Sequence, residues 1–149
     1  VLKAYEISKG ELYQRGQFLN YPLETKLSFI QLYRIDIIIN LWHTADDELE
    51  PHLWKYIHRY FPDSEKEIDT EWLLDIANRI ACWIDVGHVV LVHCYGGNNR
   101  SGLISALVLR ELYDVTGLQA MRKVQSIKTR ALHNVLYQEF LRSLPRIDQ

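Results

Sequence analysis

The sequence predicts an α/β fold: a mostly parallel central sheet flanked by helices, in one domain over residues 1–149. Three observations carry this expectation. The runs Ile37-Ile38-Ile39 and Val89-Val90-Leu91-Val92 are apolar at consecutive positions, the mark of strands covered on both faces. Between them, Leu73, Ile76, Ala77, Ile80 and Ile84 recur at helical spacing on one face. Strands alternate with helices along the chain, and such sheets bind ligands beyond the carboxyl ends of their strands.

In chain order, residues 11–18 hold β-type side chains interrupted by Gly16 and predict a short edge strand. Residues 22–33 predict a helix with Leu23, Leu27, Ile30 and Leu32 as its apolar positions. Residues 36–42 form a strand. The acidic cluster Asp46-Asp47-Glu48 is expected to open a short helix towards Ile57, with Pro51 in its first turn. Another strand is expected over 58–61 and a polar loop over 62–67. Asp69 or Thr70 caps a helix over 71–86, which Gly87 ends. Cys82 projects away from its apolar face. The strand over 88–92 is central. Three helical patterns close the chain, over 102–113, 117–127 and 131–144.

Composition narrows the function. The chain is 48% hydrophobic and 24% charged, ordinary for a globular protein, and its net charge of −2 gives no nucleic-acid or membrane-surface footprint. No stretch approaches the length of a membrane span, and no signal peptide is visible. Two cysteines, Cys82 and Cys94, do not make a disulfide scaffold. The only methionine is Met121, so the chain reads as an excised domain or a processed product. The six histidines show no zinc-type spacing, and no metal or other cofactor is expected.

The chemistry concentrates in His93-Cys94-Tyr95-Gly96-Gly97-Asn98-Asn99-Arg100-Ser101-Gly102, between the central strand and a helix. A helix N-terminus presents unpaired N–H groups and partial positive charge, so a loop of this kind cradles a small anion. Gly96 and Gly97 let the backbone curl around it. Tyr95 to Asn99 supply the loop N–H groups, and Arg100 adds a planar two-pronged donor for phosphate oxygens. Cys94 sits at the base, in surroundings of the kind that favour thiolate over thiol. Ser101 follows closely enough to bond the sulfur, and His93 is expected to orient the loop and tune the thiol. A phosphate ester also needs an acid for its leaving oxygen. Asp63 is the candidate, Asp69 the alternative, and Asp46 and Asp47 more distant ones.

The Cys94-x5-Arg100-Ser101 spacing, with His93 before it and a helix after it, resembles the signature loop of the cysteine-based protein tyrosine phosphatases. The order of acid loop, helix, strand, signature loop and helices is similar to their dual-specificity branch, from about residue 11 to 144. The resemblance implies Cys94 as nucleophile, Arg100 as phosphate ligand, Ser101 as an aid to thiolate departure and Asp63 as acid. It implies a phosphorylated protein as partner, with phosphotyrosine and further phosphoserine or phosphothreonine as substrates. Asn98-Asn99 depart from the branch's usual small or apolar residues. Asn-Arg-Ser-Gly is more similar to the RNA 5′-triphosphatases of the superfamily, which makes an RNA 5′ end the alternative partner; simple loop shaping also accounts for both asparagines. A phosphate-binding scaffold without turnover is the reading from another class. Trp42, His43, Tyr60 and Tyr95 are candidate rim residues, and Asn134 or Gln138 candidate braces for the loop. A catalytic thiol implies a reducing, intracellular compartment, the cytoplasm, with no membrane partner.

Overall fold

The computed structural model describes residues 2–148. Five strands form one sheet: β1 (Tyr5–Ser8), β2 (Leu12–Arg15), β3 (Ile37–Asn40), β4 (Lys55–His58) and β5 (Val90–His93), in the spatial order β1-β2-β5-β3-β4. Only β1 runs antiparallel to its neighbour. The mostly parallel α/β expectation therefore stands, with β5 at its centre.

Successive side chains on a strand point to opposite faces. Ile38 and Leu91 meet Tyr13, Phe18 and the Phe29 and Ile30 of α1 (Leu23–Tyr33) on one face. Ile37, Ile39, Val90 and Val92 meet the helices of the other face. Those are α2 (Thr70–Asp85), α3 (Arg100–Tyr113), α4 (Gly117–Ile127) and α5 (Val135–Arg142). The side chain of Asp69 caps α2 by accepting from the Trp72 N–H, and Gly87, with φ +103°, takes the left-handed turn just past its end. Leu73, Ile76, Ala77, Ile80 and Ile84 are all buried, while Cys82 is exposed.

Several local expectations are corrected. The strand expected at the sheet edge over 11–18 is interior: β2 pairs with β5 on one side and β1 on the other. Its Gln14 and Tyr13 are buried, and β1, which lacks a clear alternating pattern, takes the edge. On α1, Leu32 is 66% exposed and Leu23 and Leu27 are only partly covered, whereas Phe29 and Lys26 face inward. The acidic cluster opens no helix as far as Ile57. A short 3₁₀ turn, Glu50–His52, is all that forms, because the chain enters β4 at Lys55 rather than at 58. Asp46 instead goes inside. It pairs with the buried Lys26 at 2.8 Å, and Lys26 also donates to the Leu19 carbonyl. Two buried charges that satisfy each other are costly to separate. The last helix is shorter than expected, since 131–134 form the turn that enters it.

His93 ends β5 inside this frame. It is buried against the Phe18 ring at 5.2 Å, and among the described residues its Nδ1 has no partner. Burial pushes its pKa down to about 3, with the charges of Arg15 and His58 adding to the fall against a backbone bond at Cys94. The folded protein therefore holds His93 neutral, while the unfolded chain protonates it near the usual 6.5. Its neutral form stabilises the fold fully above that value, and the stability drains away as pH falls towards 3. Urea unfolding at pH 7 and pH 5 should show the unmodified protein losing about 2 kcal/mol more than His93→Asn over that interval. Equal losses would mean that His93 is not buried neutral.

Candidate active site

β5 delivers Cys94 to the carboxyl end of the sheet, and α3 begins at Arg100, so residues 95–99 must turn sharply between them. Their carbonyls all point outward and are all held. Tyr95 O accepts from Gln17 N at 2.9 Å, and Gly96 O from Lys128 Nζ at 3.0 Å. Gly97 O accepts from Gln14 Nε2 at 2.7 Å and Lys128 Nζ at 2.8 Å. Asn98 O accepts from Leu132 N and Asn99 O from Leu103 N. Among the described residues, none accepts a hydrogen bond from the backbone N–H groups of Tyr95 to Asn99. With the carbonyls out and the N–H groups unpaired, the loop is a donor-lined nest for an anion. Lys128, half-covered and with its pKa lowered by that burial, spends its ammonium on two of these carbonyls.

The loop is also wedged against the end of β2. Gly97 has φ +73°, and a Cβ there would come within 2.5 Å of the Arg15 carbonyl carbon and the Gly16 nitrogen. A Cβ on Gly16 would meet Tyr95 O at 2.8 Å. Gly97 is therefore required twice over, by conformation and by contact. Gly96 is not: its added Cβ would meet nothing closer than Asn98 Nδ2 at 3.4 Å.

A cavity of about 180 Å3 opens at the nest, lined by Asp63, Cys94, Tyr95, Gly96, Asn98, Asn99, Arg100 and His133. The structure thus gathers Asp63 and Cys94 around one space. Cys94 Sγ lies 3.3 Å from Ser101 Oγ, both buried at the base. Arg100 Nη1 donates to Phe61 O at 2.9 Å, tying the nest to the loop that carries Asp63. Asp69, the alternative acid, is occupied in capping α2 and pairing with Arg59, and Asp46 is sealed with Lys26. Neither lines the cavity, nor does Asp47.

Two asparagines grip Asp63. Asn99 Nδ2 donates to Oδ2 and Asn134 Nδ2 to Oδ1, each at 2.7 Å. Asn134 also donates to Ser64 O, and its backbone N–H donates to Asn99 Oδ1. Gln138 braces more remotely, through Leu132 O. Sequence reasoning missed Gln14, Lys128 and His133. Nothing local marks them, because each reaches the site from another element. Beside Tyr95 lies Trp42, the two ring centroids 4.7 Å apart and tilted by 35°, and His43 lies 3.9 Å from Trp42. The Arg100 guanidinium lies 5.8 Å from the Trp42 ring centre and 5.9 Å from that of Tyr60. Larger grooves exist, of about 330 Å3 beside Phe61 and Trp72 and about 490 Å3 between β1, α3 and α4. Both are mainly apolar-walled and hold no cysteine.

No protein-family model matches the chain, and no curated protein sequence matches it either. Solved structures do. Tk-PTP in its active form is 25% identical, covers 95% of both chains and superposes with a TM-score of 0.78. Human DUSP28 is 16% identical over 96% of this chain and 93% of its own, with a TM-score of 0.76. A human tyrosine phosphatase-like serine/threonine/tyrosine-interacting protein is 20% identical over 94% and 93%, with a TM-score of 0.77. Together with the strand order, these place the chain in a fold class: it has the dual-specificity-phosphatase-like fold of the cysteine-based protein tyrosine phosphatase superfamily.

Proposed function

We propose that the chain is a phosphatase that hydrolyses phosphotyrosine in proteins, with phosphoserine and phosphothreonine as further substrates, through a cysteinyl-phosphate intermediate. The observation that carries this reading is the nest of unpaired N–H groups directly around a buried cysteine. A mere anion-binding site has no use for a thiol at its base. The adjoining rings of Trp42, His43 and Tyr95, with Tyr60 beyond, favour an aryl ester, whose ring finds aromatic faces beside Arg100.

The reaction follows from the positions. The phosphoryl group binds the nest and Arg100, which neutralise charge as it spreads over the equatorial oxygens. The Cys94 thiolate attacks phosphorus, the ester P–O bond breaks, and Asp63 gives its proton to the departing oxygen. Water then attacks the cysteinyl phosphate, Asp63 takes a proton from it, and the S–P bond breaks. Ser101 Oγ donates to the sulfur as negative charge returns there. Besides substrate and water, every group in these steps belongs to this chain. A thiolate nucleophile survives in a reducing environment, so we assign the activity to the inside of the cell. The Asn98-Asn99 pair, which suggested an RNA 5′ end, has a job within the protein at Asn99, and this leaves the RNA reading without separate support.

With a phosphotyrosine peptide, Cys94→Ser should lose at least about a thousandfold in turnover while remaining folded. Absence of turnover by the folded, unmodified protein under reducing conditions would sink the phosphatase reading and favour a scaffold. Asp63→Asn should lower kcat on the phosphotyrosine peptide by about a hundredfold or more; undiminished turnover would point to another acid. Ser101→Ala should slow release of the thiolate, so that rapid mixing shows a burst of product followed by a slower steady state. A rate with no burst and no loss would remove Ser101 from the mechanism.

A further inference from the structure

Asp63 stands on an irregular, exposed loop, yet both of its carboxylate oxygens are held. The groups that hold it are buried. Asn99 and Asn134 are each 5% exposed, and each turns its amide towards the same carboxylate. The two asparagines are themselves joined, because Asn134 N donates to Asn99 Oδ1 at 3.0 Å. The result is a closed ring of hydrogen bonds, Asn99 to Asp63 to Asn134 and back.

Asn99 sets aside a commoner role to take part. It occupies the N-cap position of α3, but its side chain makes no capping bond there. One hydrogen of its amide goes to Asp63. The other faces the His133 ring, whose nearer nitrogen is 3.1 Å away. A serine or glycine at this position could not span Asp63 and Asn134 together. Asn134 works twice: its Oδ1 caps α5 by accepting from Tyr137 N, leaving the amide nitrogen for Asp63 and Ser64. The flanking carbonyls are pinned as well, Phe61 O by Arg100 and Pro62 O by Tyr137 Oη.

We propose that Asn99 and Asn134 are positioning residues that fix Asp63 at the cavity it shares with Cys94 before substrate arrives. The proposal rests on the reading of Asp63 as proton donor. Each carboxyl oxygen has two lone pairs, so one amide on each leaves a place for the transferable proton. A carboxyl group already in position avoids the ordering cost that a mobile loop would bring to the transition state. The asparagine that set the signature loop apart from its relatives is thereby given a specific task.

The test compares phenyl phosphate, whose leaving group needs a proton, with p-nitrophenyl phosphate, whose leaving group needs it much less. Asn99→Ser and Asn134→Ser should each lower the ratio of phenyl phosphate to p-nitrophenyl phosphate turnover by about tenfold, short of the full loss expected from Asp63→Asn. Serine retains the α5 cap in Asn134→Ser, so that variant stays folded if Asn99→Ser does not, and competitive inhibition by inorganic phosphate checks that its nest is intact. Added to Asp63→Asn, neither substitution should lower the ratio further, because both act through Asp63. A ratio changed by Asp63→Asn but by neither serine variant overturns the positioning role. A ratio untouched by Asp63→Asn removes the acid itself, and the proposal falls with it.

Discussion

Five outward carbonyls decide what this site is. A tight loop between a strand and a helix has as many carbonyls as N–H groups, and one set must face the cavity. Here Gln17, Lys128, Gln14, Leu132 and Leu103 capture the carbonyls of Tyr95 to Asn99, so the N–H groups are left for an anion. The donors come from the end of β2, the end of α4 and the turn before α5, as well as α3 itself. Strand β2, helix α3, the end of α4 and the turn before α5 are therefore part of the site in a literal sense. Loosening any of them would let carbonyls swing inward, where they would repel a phosphate.

The same economy appears in the charged groups. Lys128 points at backbone carbonyls and Arg100 at the Phe61 carbonyl, so each cation both braces the nest and contributes positive field. His93 is the opposite case. Burial keeps it uncharged, so it acts by shape, filling space between Phe18 and the base of the nest. The sequence expectation that it orients the loop needs no charge.

The strands and helices that build the site were legible because they carry periodic signals. Val90 to Val92 are apolar on consecutive positions, as a doubly covered strand requires, and α2 shows its buried stripe plainly. The Cys94-x5-Arg100 spacing is local and survives reading in one dimension. What could not be read depends on distant partners. Lys26 looks like a surface lysine until Asp46 arrives to pair with it, and Asp46 looks like helix-start charge until the helix fails to form. Gln14 looks like one half of an alternating edge strand. It is buried because β1 and β5 flank it, and its amide is needed at Gly97. Asn99 shows the limit most clearly. Its identity was visible as a departure from a pattern, but its purpose required Asp63 and Asn134 in space.

The central claim is that the nest exists to hold a phosphoryl group while Cys94 takes it. Rapid acid quench of the unmodified protein with a phosphotyrosine peptide, followed by mass spectrometry of the digest, reads this directly. The account predicts one added phosphoryl group on the peptide that contains Cys94, attached at sulfur and disappearing on the timescale of turnover. A phosphoryl group found on His93 or Ser101 instead, or steady turnover by Cys94→Ser at the rate of the unmodified protein, would contradict it.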